Sequence, residues 1–88
     1  MQKGTLHIKN KYGLHARAAM KLVDLSGHFT AEIYIIYNGR MIDAKDMMAV
    51  LALGAKQGTE LELMTQGEEY EKAFEAVKNL FERQFDEP

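Results

Sequence analysis

The hydrophobic pattern of the chain predicts four β-strands. Polar and apolar residues alternate in the first, where Leu6 and Ile8 share one face, and they alternate again in the last. The second strand is rich in β-branched and aromatic residues. It ends at Asn38-Gly39, a pair that favours a type I′ hairpin turn into the third strand. The predicted strands are Thr5 to Lys9, Ala31 to Tyr37, Arg40 to Asp43 and Thr59 to Thr65.

Apolar residues at helical spacing predict three helices. The first begins near Ala16 and runs to Gly27, which we expect to end the helix in a left-handed conformation. The second is short, because its apolar run from Met47 to Leu53 follows Asp46, a good N-cap residue, and precedes Gly54. The third has glutamates near its start, where the helix dipole is positive. Its continuous apolar stripe consists of Tyr70, Ala73, Phe74, Val77, Leu80 and Phe81.

The predicted order of elements is βαββαβα, with no internal repeat, low-complexity segment or linker. This order predicts an α+β domain whose helices pack on one face of a mainly antiparallel sheet. The chain has 88 residues, of which 47% are hydrophobic. We therefore expect a single domain over residues 1–88 that buries about 60% of its unfolded surface. Because a core of this size is modest, we expect any functional site to lie near the surface and not in a deep cavity.

Charge and cysteine content exclude several classes of protein. The chain has 11 Lys and Arg against 13 Asp and Glu, a net charge of -2, and it has no basic run. Nucleic-acid binding is therefore not expected. Without cysteine it has no disulfide or thiolate metal site, and we expect neither a metal nor a cofactor. No signal segment and no run of about 18 apolar residues is present, so we expect a cytoplasmic protein without membrane insertion. We also expect a monomer.

His15 is the first candidate for chemistry, because the segment 13–17 lies where a loop enters the first helix. The first N–H groups of a helix lack internal partners and carry roughly half a positive charge, which makes an anion site. The same field favours a neutral, nucleophilic imidazole. Arg17 adds a planar cation suited to phosphate oxygens, and we expect Gly13 to leave space for a phosphoryl donor. On position alone, an ordinary surface histidine is the alternative.

The segment Gly13-Leu14-His15-Ala16-Arg17-Ala18-Ala19-Met20 resembles the active-histidine signature of the HPr family. These proteins are the histidine-containing phosphocarriers of the bacterial phosphoenolpyruvate-dependent phosphotransferase system. The resemblance continues through Asn38-Gly39 and through residues 44–48 and 53–59, so it covers nearly the whole chain without apparent insertions. It implies an open-faced β-sandwich with sheet order 1-4-2-3.

The resemblance also implies a role for each residue of the segment. A family member is phosphorylated on Nδ1 of its histidine by enzyme I and passes the group to an EIIA-type acceptor, acting as a carrier and not as an enzyme. On this basis His15 is the nucleophile and Arg17 its phosphate partner. The N–H groups of Ala16, Arg17 and Ala18 are the remaining donors to phosphate. The sugar branch and the nitrogen branch, whose carrier is NPr, are not distinguished by the sequence.

Two positions depart from the family pattern. Position 18 is usually proline, and Ala18 restores an N–H group that proline would lack. Position 46 is often a serine that a regulatory kinase phosphorylates, whereas Asp46 has no hydroxyl and excludes that control. We interpret Asp46 mainly as a helix cap, worth about 1 kcal/mol over alanine. A permanent mimic of phosphoserine is the alternative.

The short second helix predicts a partner surface. It has no polar side chain, and Met47 and Met48 point about 100° apart, so both cannot occupy one core stripe. An exposed apolar patch of this kind usually marks a site of protein contact. In the family this helix lies beside the active histidine and docks enzyme I and the acceptors. Core packing is the alternative, favoured more for Leu51 than for Met48. The candidate contacts are Met20, Met47, Met48 and Leu51.

Two other functions fit parts of the pattern. A regulatory module would use the same face to control transcription or an enzyme, which adds regulatory proteins to the possible partners. Relatives that act in this way typically lack the active histidine, so His15 and Arg17 favour phosphoryl transfer. An RNA-recognition domain shares the order βαββαβ, but the chain lacks the RNP1 motif and has an acidic charge balance.

Overall fold

The computed structural model describes residues 1–87, which form four strands, three α-helices and a C-terminal 3-10 turn. The predicted order βαββαβα is confirmed. The strands are β1 (Gln2–His7), β2 (Glu32–Tyr37), β3 (Arg40–Asp43) and β4 (Glu60–Gln66). The helices are α1 (Ala16–Ser26), α2 (Met47–Ala52) and α3 (Tyr70–Glu82), and the 3-10 turn is Gln84–Asp86.

The strands form one antiparallel sheet in the order β1-β4-β2-β3, which confirms the predicted topology. Ile35 of β2 lies opposite Ile42 of β3 on one side and Leu63 of β4 on the other. All three of these side chains are buried, because the helices cover their face of the sheet. Helix α3 packs on β1, β4 and β2, whereas α1 packs on both other helices.

The first strand lies earlier in the chain than its alternation predicts. Strand β1 begins at Gln2, opposite Thr65, and ends at His7, opposite Glu60. Ile8 is nevertheless buried as predicted, since its N–H donates to the Thr59 carbonyl at 3.0 Å and its own carbonyl accepts from Gly58 at 2.8 Å. The alternation is correct, and the difference lies in where the pairing with β4 begins and ends.

The predicted left-handed end of α1 is wrong. Gly27 has φ -65° and ψ -14°, which is right-handed, and its N–H donates to the Val23 carbonyl at 3.0 Å. The next two N–H groups, of His28 and Phe29, donate to carbonyls three residues earlier. The helix therefore tightens into a 3-10 turn, and its last carbonyls are satisfied without a reversal of the chain.

Two local predictions from turn and cap residues are confirmed. Asn38 and Gly39 both have positive φ, 51° and 75°, as a type I′ turn requires. Asp46 caps α2, because its carboxylate accepts a hydrogen bond from the Ala49 N–H at 3.2 Å. Helix α2, which Asp46 begins, is in contact with α1.

Candidate functional site

His15 is the N-cap residue of α1, with an extended backbone at φ -71° and ψ 176°. Its side chain makes no capping hydrogen bond, and the Ala19 N–H donates to its carbonyl at 2.8 Å. The N–H groups of residues 16–18 therefore precede this donor at the start of the helix. Among residues 1–87, no side chain caps the positive end of the dipole, so the start of α1 has the features of an anion site.

The loop before His15 is fixed by backbone contacts. The buried Asn10 side chain donates through Nδ2 to the Gly13 carbonyl at 2.7 Å, and the Leu14 N–H donates to the Ala55 carbonyl at 3.0 Å. Gly13 has φ +63°, and a Cβ atom there would lie 2.4 Å from the Ala55 oxygen. The prediction that Gly13 leaves space for a phosphoryl donor is thus wrong, because that space is taken by the backbone of residues 55 and 56.

An open cleft of about 690 Å³ lies at this end of α1. The His15 side chain is 31% exposed there, and the Tyr12 ring meets it edge to face with 6.0 Å between centroids. The Lys11 ammonium lies 5.4 Å from the centre of the Tyr12 ring. The cleft brings two cations beside the imidazole, with one carboxylate. Its lining residues are Lys11, Tyr12, His15, Ala16, Arg17 and Glu87.

The predicted phosphate-binding residues all lie in the first turn of α1. Ala16 and Arg17 are exposed, and both line the cleft. Ala18 is fully buried, so its methyl group belongs to the core while its backbone N–H belongs to the helix start. The Arg17 guanidinium forms no hydrogen bond or ion pair with another residue of the described chain. It is available to an anion that enters the cleft.

Glu87 is a site residue that the sequence analysis did not find. Its Oε2 atom lies 2.5 Å from Nε2 of His15, and Asn10 Nδ2 lies 3.4 Å from its Oε1. The carboxylate is only 12% exposed. Burial alone would raise the pKa of Glu87, but the hydrogen bonds from His15 and Asn10 outweigh burial and lower that pKa below 4.5. The two residues are 72 positions apart, and no local motif marks such a pairing.

The 3-10 turn Gln84–Asp86, which we call the C-terminal turn, brings the residue after it, Glu87, to His15. Phe85 is fully buried, with its ring centroid 4.8 Å from that of Phe81 in α3. The Lys21 ammonium of α1 donates to the Phe85 carbonyl at 2.6 Å. Residues 84–86 have φ between 56° and 58°, so the chain turns left-handed for three residues in succession. This reversal directs the end of the chain back over the start of α1.

The predicted docking residues differ in exposure. Met48 is 74% exposed and Met20 is 52% exposed, whereas Met47 and Leu51 are half-buried against the core. Val50, on the inner side of α2, is fully buried. Helices α1 and α2 pack against each other. Met20 and Met48 are therefore exposed on two helices that are in contact, and His15 is the N-cap residue of the first of them.

Metal ligation and membrane insertion each require a feature that residues 1–87 lack. The described residues contain no group of three or more His, Asp or Glu side chains able to hold a metal ion. In that same part of the chain, no helix has the length and apolar character needed to cross a membrane.

Comparisons with known proteins agree on one family. The family model described as "PTS HPr component phosphorylation site" matches residues 2–83. The phosphocarrier protein HPr of Cupriavidus necator is 40% identical over 99% of this chain and 97% of its own length. That of Pseudomonas aeruginosa is 42% identical over 91% of this chain and 90% of its own. The crystal structure of HPr-C-His from Thermoanaerobacter tengcongensis has a TM-score of 0.96, 35% identity, and coverage of 100% and 99%.

Proposed function

The chain belongs to the HPr family of phosphotransferase-system phosphocarriers, and from this premise we propose that it carries a phosphoryl group on His15. The group comes from phosphorylated enzyme I and passes to EIIA-type acceptors. The carrier is not an enzyme, because its own histidine is the covalent intermediate and is regenerated only when the acceptor takes the group. We place it in the cytoplasm, as a monomer.

One observation carries the proposal. The His15 imidazole lies at the start of α1, where no side chain of the described part of the chain caps the helix. A phosphoryl group on this ring would lie beside backbone N–H groups and the positive end of the helix dipole, which together stabilise a dianion. The nucleophile and the anion site would thus both be formed by the start of α1.

Positioning and electrostatics account for the chemistry required of the protein. The Nδ1 lone pair attacks the phosphorus, and the donor's leaving atom keeps the electron pair of the broken bond. The N–H groups of residues 16–18 and the Arg17 guanidinium then donate hydrogen bonds to the phosphoryl oxygens. The cleft is open, so the same geometry serves a donor and, later, an acceptor. This reversibility is what a carrier needs.

Residues of the apolar surface on α1 and α2 would provide the docking contacts. Met20 and Met48 are its most exposed members, and methionine adapts its flexible side chain to differently shaped partners. A carrier must dock on at least two proteins, enzyme I and an acceptor, through one surface. Met47 and Leu51 are the half-buried members and support this surface from the core side.

The test is phosphorylation of the purified protein with phosphoenolpyruvate and enzyme I, read by intact mass. We expect one added phosphoryl group that is labile in acid and stable in base. The His15→Ala variant is expected to gain none, with an unchanged circular dichroism spectrum. His7→Ala and His28→Ala serve as matched controls, since both histidines are exposed and lie outside the cleft. Phosphate on the His15→Ala variant would contradict the assignment of His15 as the phosphorylated residue.

A further inference from the structure

Glu87 and His15 form a short, largely buried contact that a third residue supports. A carboxylate that is 12% exposed meets Nε2 of the imidazole at 2.5 Å, and its other oxygen lies 3.4 Å from the buried Asn10 amide. Asn10 also holds the Gly13 carbonyl at 2.7 Å, so one side chain links the loop before His15 to the carboxylate. Both ends of the contact are therefore fixed by the same buried amide.

The C-terminal turn is built to hold the carboxylate in this place. Left-handed backbone disfavours residues with a Cβ atom, yet residues 84–86 are all left-handed and none of them is glycine. The burial of Phe85 and the bond from Lys21 to its carbonyl offset that cost. These two contacts hold the turn, and with it Glu87, against α1 and α3.

We propose that Glu87 is a positioning residue for the phosphoryl transfer proposed above, on which this inference rests. Its carboxylate accepts the Nε2–H of His15, which orients the ring and keeps the lone pair on Nδ1. Among residues 1–87, no hydrogen bond joins Nδ1 to another group. The nitrogen that faces the protein carries the proton, and the free nitrogen is the nucleophile. In enzymes, a carboxylate that is hydrogen-bonded to one nitrogen of a catalytic histidine orients the ring in the same way.

The charge of Glu87 has a second effect during the transfer itself. When the Nδ1 lone pair forms the bond to phosphorus, the ring keeps its proton on Nε2 and becomes positively charged. The donor's leaving atom takes the electron pair of the bond that breaks, so no proton has to leave the ring. The carboxylate at Nε2 stabilises this cationic ring. On return transfer the electron pair goes back to Nδ1, and the neutral ring with its Nε2 proton is restored.

A blocking role makes the opposite prediction. A carboxylate in the cleft competes with an incoming phosphoryl group for the same cations, Lys11 and Arg17. If that competition dominated, removal of the charge would speed phosphorylation. The location of the carboxylate on Nε2 favours the positioning role, since the nitrogen that it occupies is not the one that attacks.

The first measurement uses the unphosphorylated protein and is independent of any partner. In proton–nitrogen NMR at about pH 8, above the ordinary histidine range, we expect a protected, downfield Nε2–H signal from His15. Glu87→Ala should lose it. Asp86→Asn is the matched control, because it removes one charge from the same turn and, within residues 1–87, the Asp86 side chain bonds only to Arg83. Absence of the signal in the wild-type protein would overturn the pairing, whether or not enzyme I phosphorylates His15.

The second measurement is the rate of phosphorylation by enzyme I. Glu87→Ala is expected to lower kcat about tenfold, the scale of losing a group that orients a functional histidine, with KM for the carrier unchanged. The glutamine of Glu87→Gln can still accept the Nε2–H, so we expect a smaller decrease in kcat than for Glu87→Ala. The decrease that Glu87→Gln does show measures the effect of the charge. Asp86→Asn should match the wild type. An unchanged or faster rate in both Glu87 variants would overturn the proposal.

Discussion

Gly13 packs against Ala55 so closely that a Cβ atom on Gly13 would lie 2.4 Å from the Ala55 carbonyl oxygen. The same oxygen accepts the Leu14 N–H at 3.0 Å. The loop that presents His15 is therefore fastened by backbone atoms to the segment that follows α2. This contact couples the position of the imidazole to the helix that offers the exposed Met48.

Replacement of Gly13 by alanine should destabilise the protein by about 3 kcal/mol. The variant incurs the cost of a left-handed residue with a Cβ atom and, in addition, a clash with backbone that cannot move aside. Gly54→Ala is a close control, because Gly54 has φ +59° against +63° for Gly13, and no atom of residues 1–87 lies within 4 Å of its Cβ position. Urea unfolding measures both. Equal losses would show that the contact with Ala55 costs nothing.

Local signals predicted much of the fold and the place of His15 in it. The alternation around Leu6 and Ile8 and the Asn38-Gly39 turn depend on neighbours in sequence, and both are confirmed. The position of His15 at the helix start is a local property as well.

Two features of the site that local signals did not indicate are contacts between distant segments. The close approach of Ala55 to Gly13 and the arrival of Glu87 at His15 depend on how separate elements pack. Gly27 shows a different limit, because a glycine after a helix permits a left-handed residue without requiring one.

Arg17→Ala should slow phosphorylation of His15 by roughly tenfold to hundredfold. A hydrogen bond to a charged group contributes about 1.5–3 kcal/mol, and about 1.4 kcal/mol corresponds to a factor of ten in rate. Arg17→Lys should recover part of the loss, since lysine keeps the charge without the planar pair of donors. Arg40→Ala, at an exposed position of β3, controls for the loss of one positive charge. Equal rates for the two alanine variants would contradict the role of Arg17.

Asp46→Ala should lower the free energy of unfolding by about 1 kcal/mol, because the Ala49 N–H loses its capping acceptor. Asp46→Ser and Asp46→Asn should lose much less, since both side chains are good caps. Denaturant unfolding checks these values. If Asp46 is a cap alone, Asp46→Ser also keeps the same set of binding partners in a pull-down. A stable Asp46→Ser variant that lost one partner would support the phosphoserine mimic.

Acid should weaken the junction between Thr30 and Glu69. The backbone N–H and then the hydroxyl of Thr30 donate to the Glu69 carboxylate at 3.0 Å, and they lower the pKa of Glu69 below its ordinary 4.5. A carboxyl whose pKa is lower in the folded state stabilises that state above the unfolded pKa and loses the effect as pH falls through the folded pKa. Glu69→Gln should therefore flatten the fall of Tm below about pH 4.5. Glu75→Gln, on the exposed side of α3, should leave the slope of that fall unchanged.

Met48→Glu should raise KM for the carrier in phosphorylation by enzyme I about tenfold while leaving kcat near the wild-type value. An exposed methionine at the centre of a docking surface contributes contact area, and a carboxylate in its place must lose water on binding. The His15 site is untouched, so the chemical step should not change. Met41→Glu is the matched control, because Met41 is 56% exposed but lies on the sheet face opposite the buried Ile42. An equal rise in KM for both variants would mean that the surface on α1 and α2 is not the docking site, whereas a fall in kcat alone would place Met48 in the reaction and not in recognition.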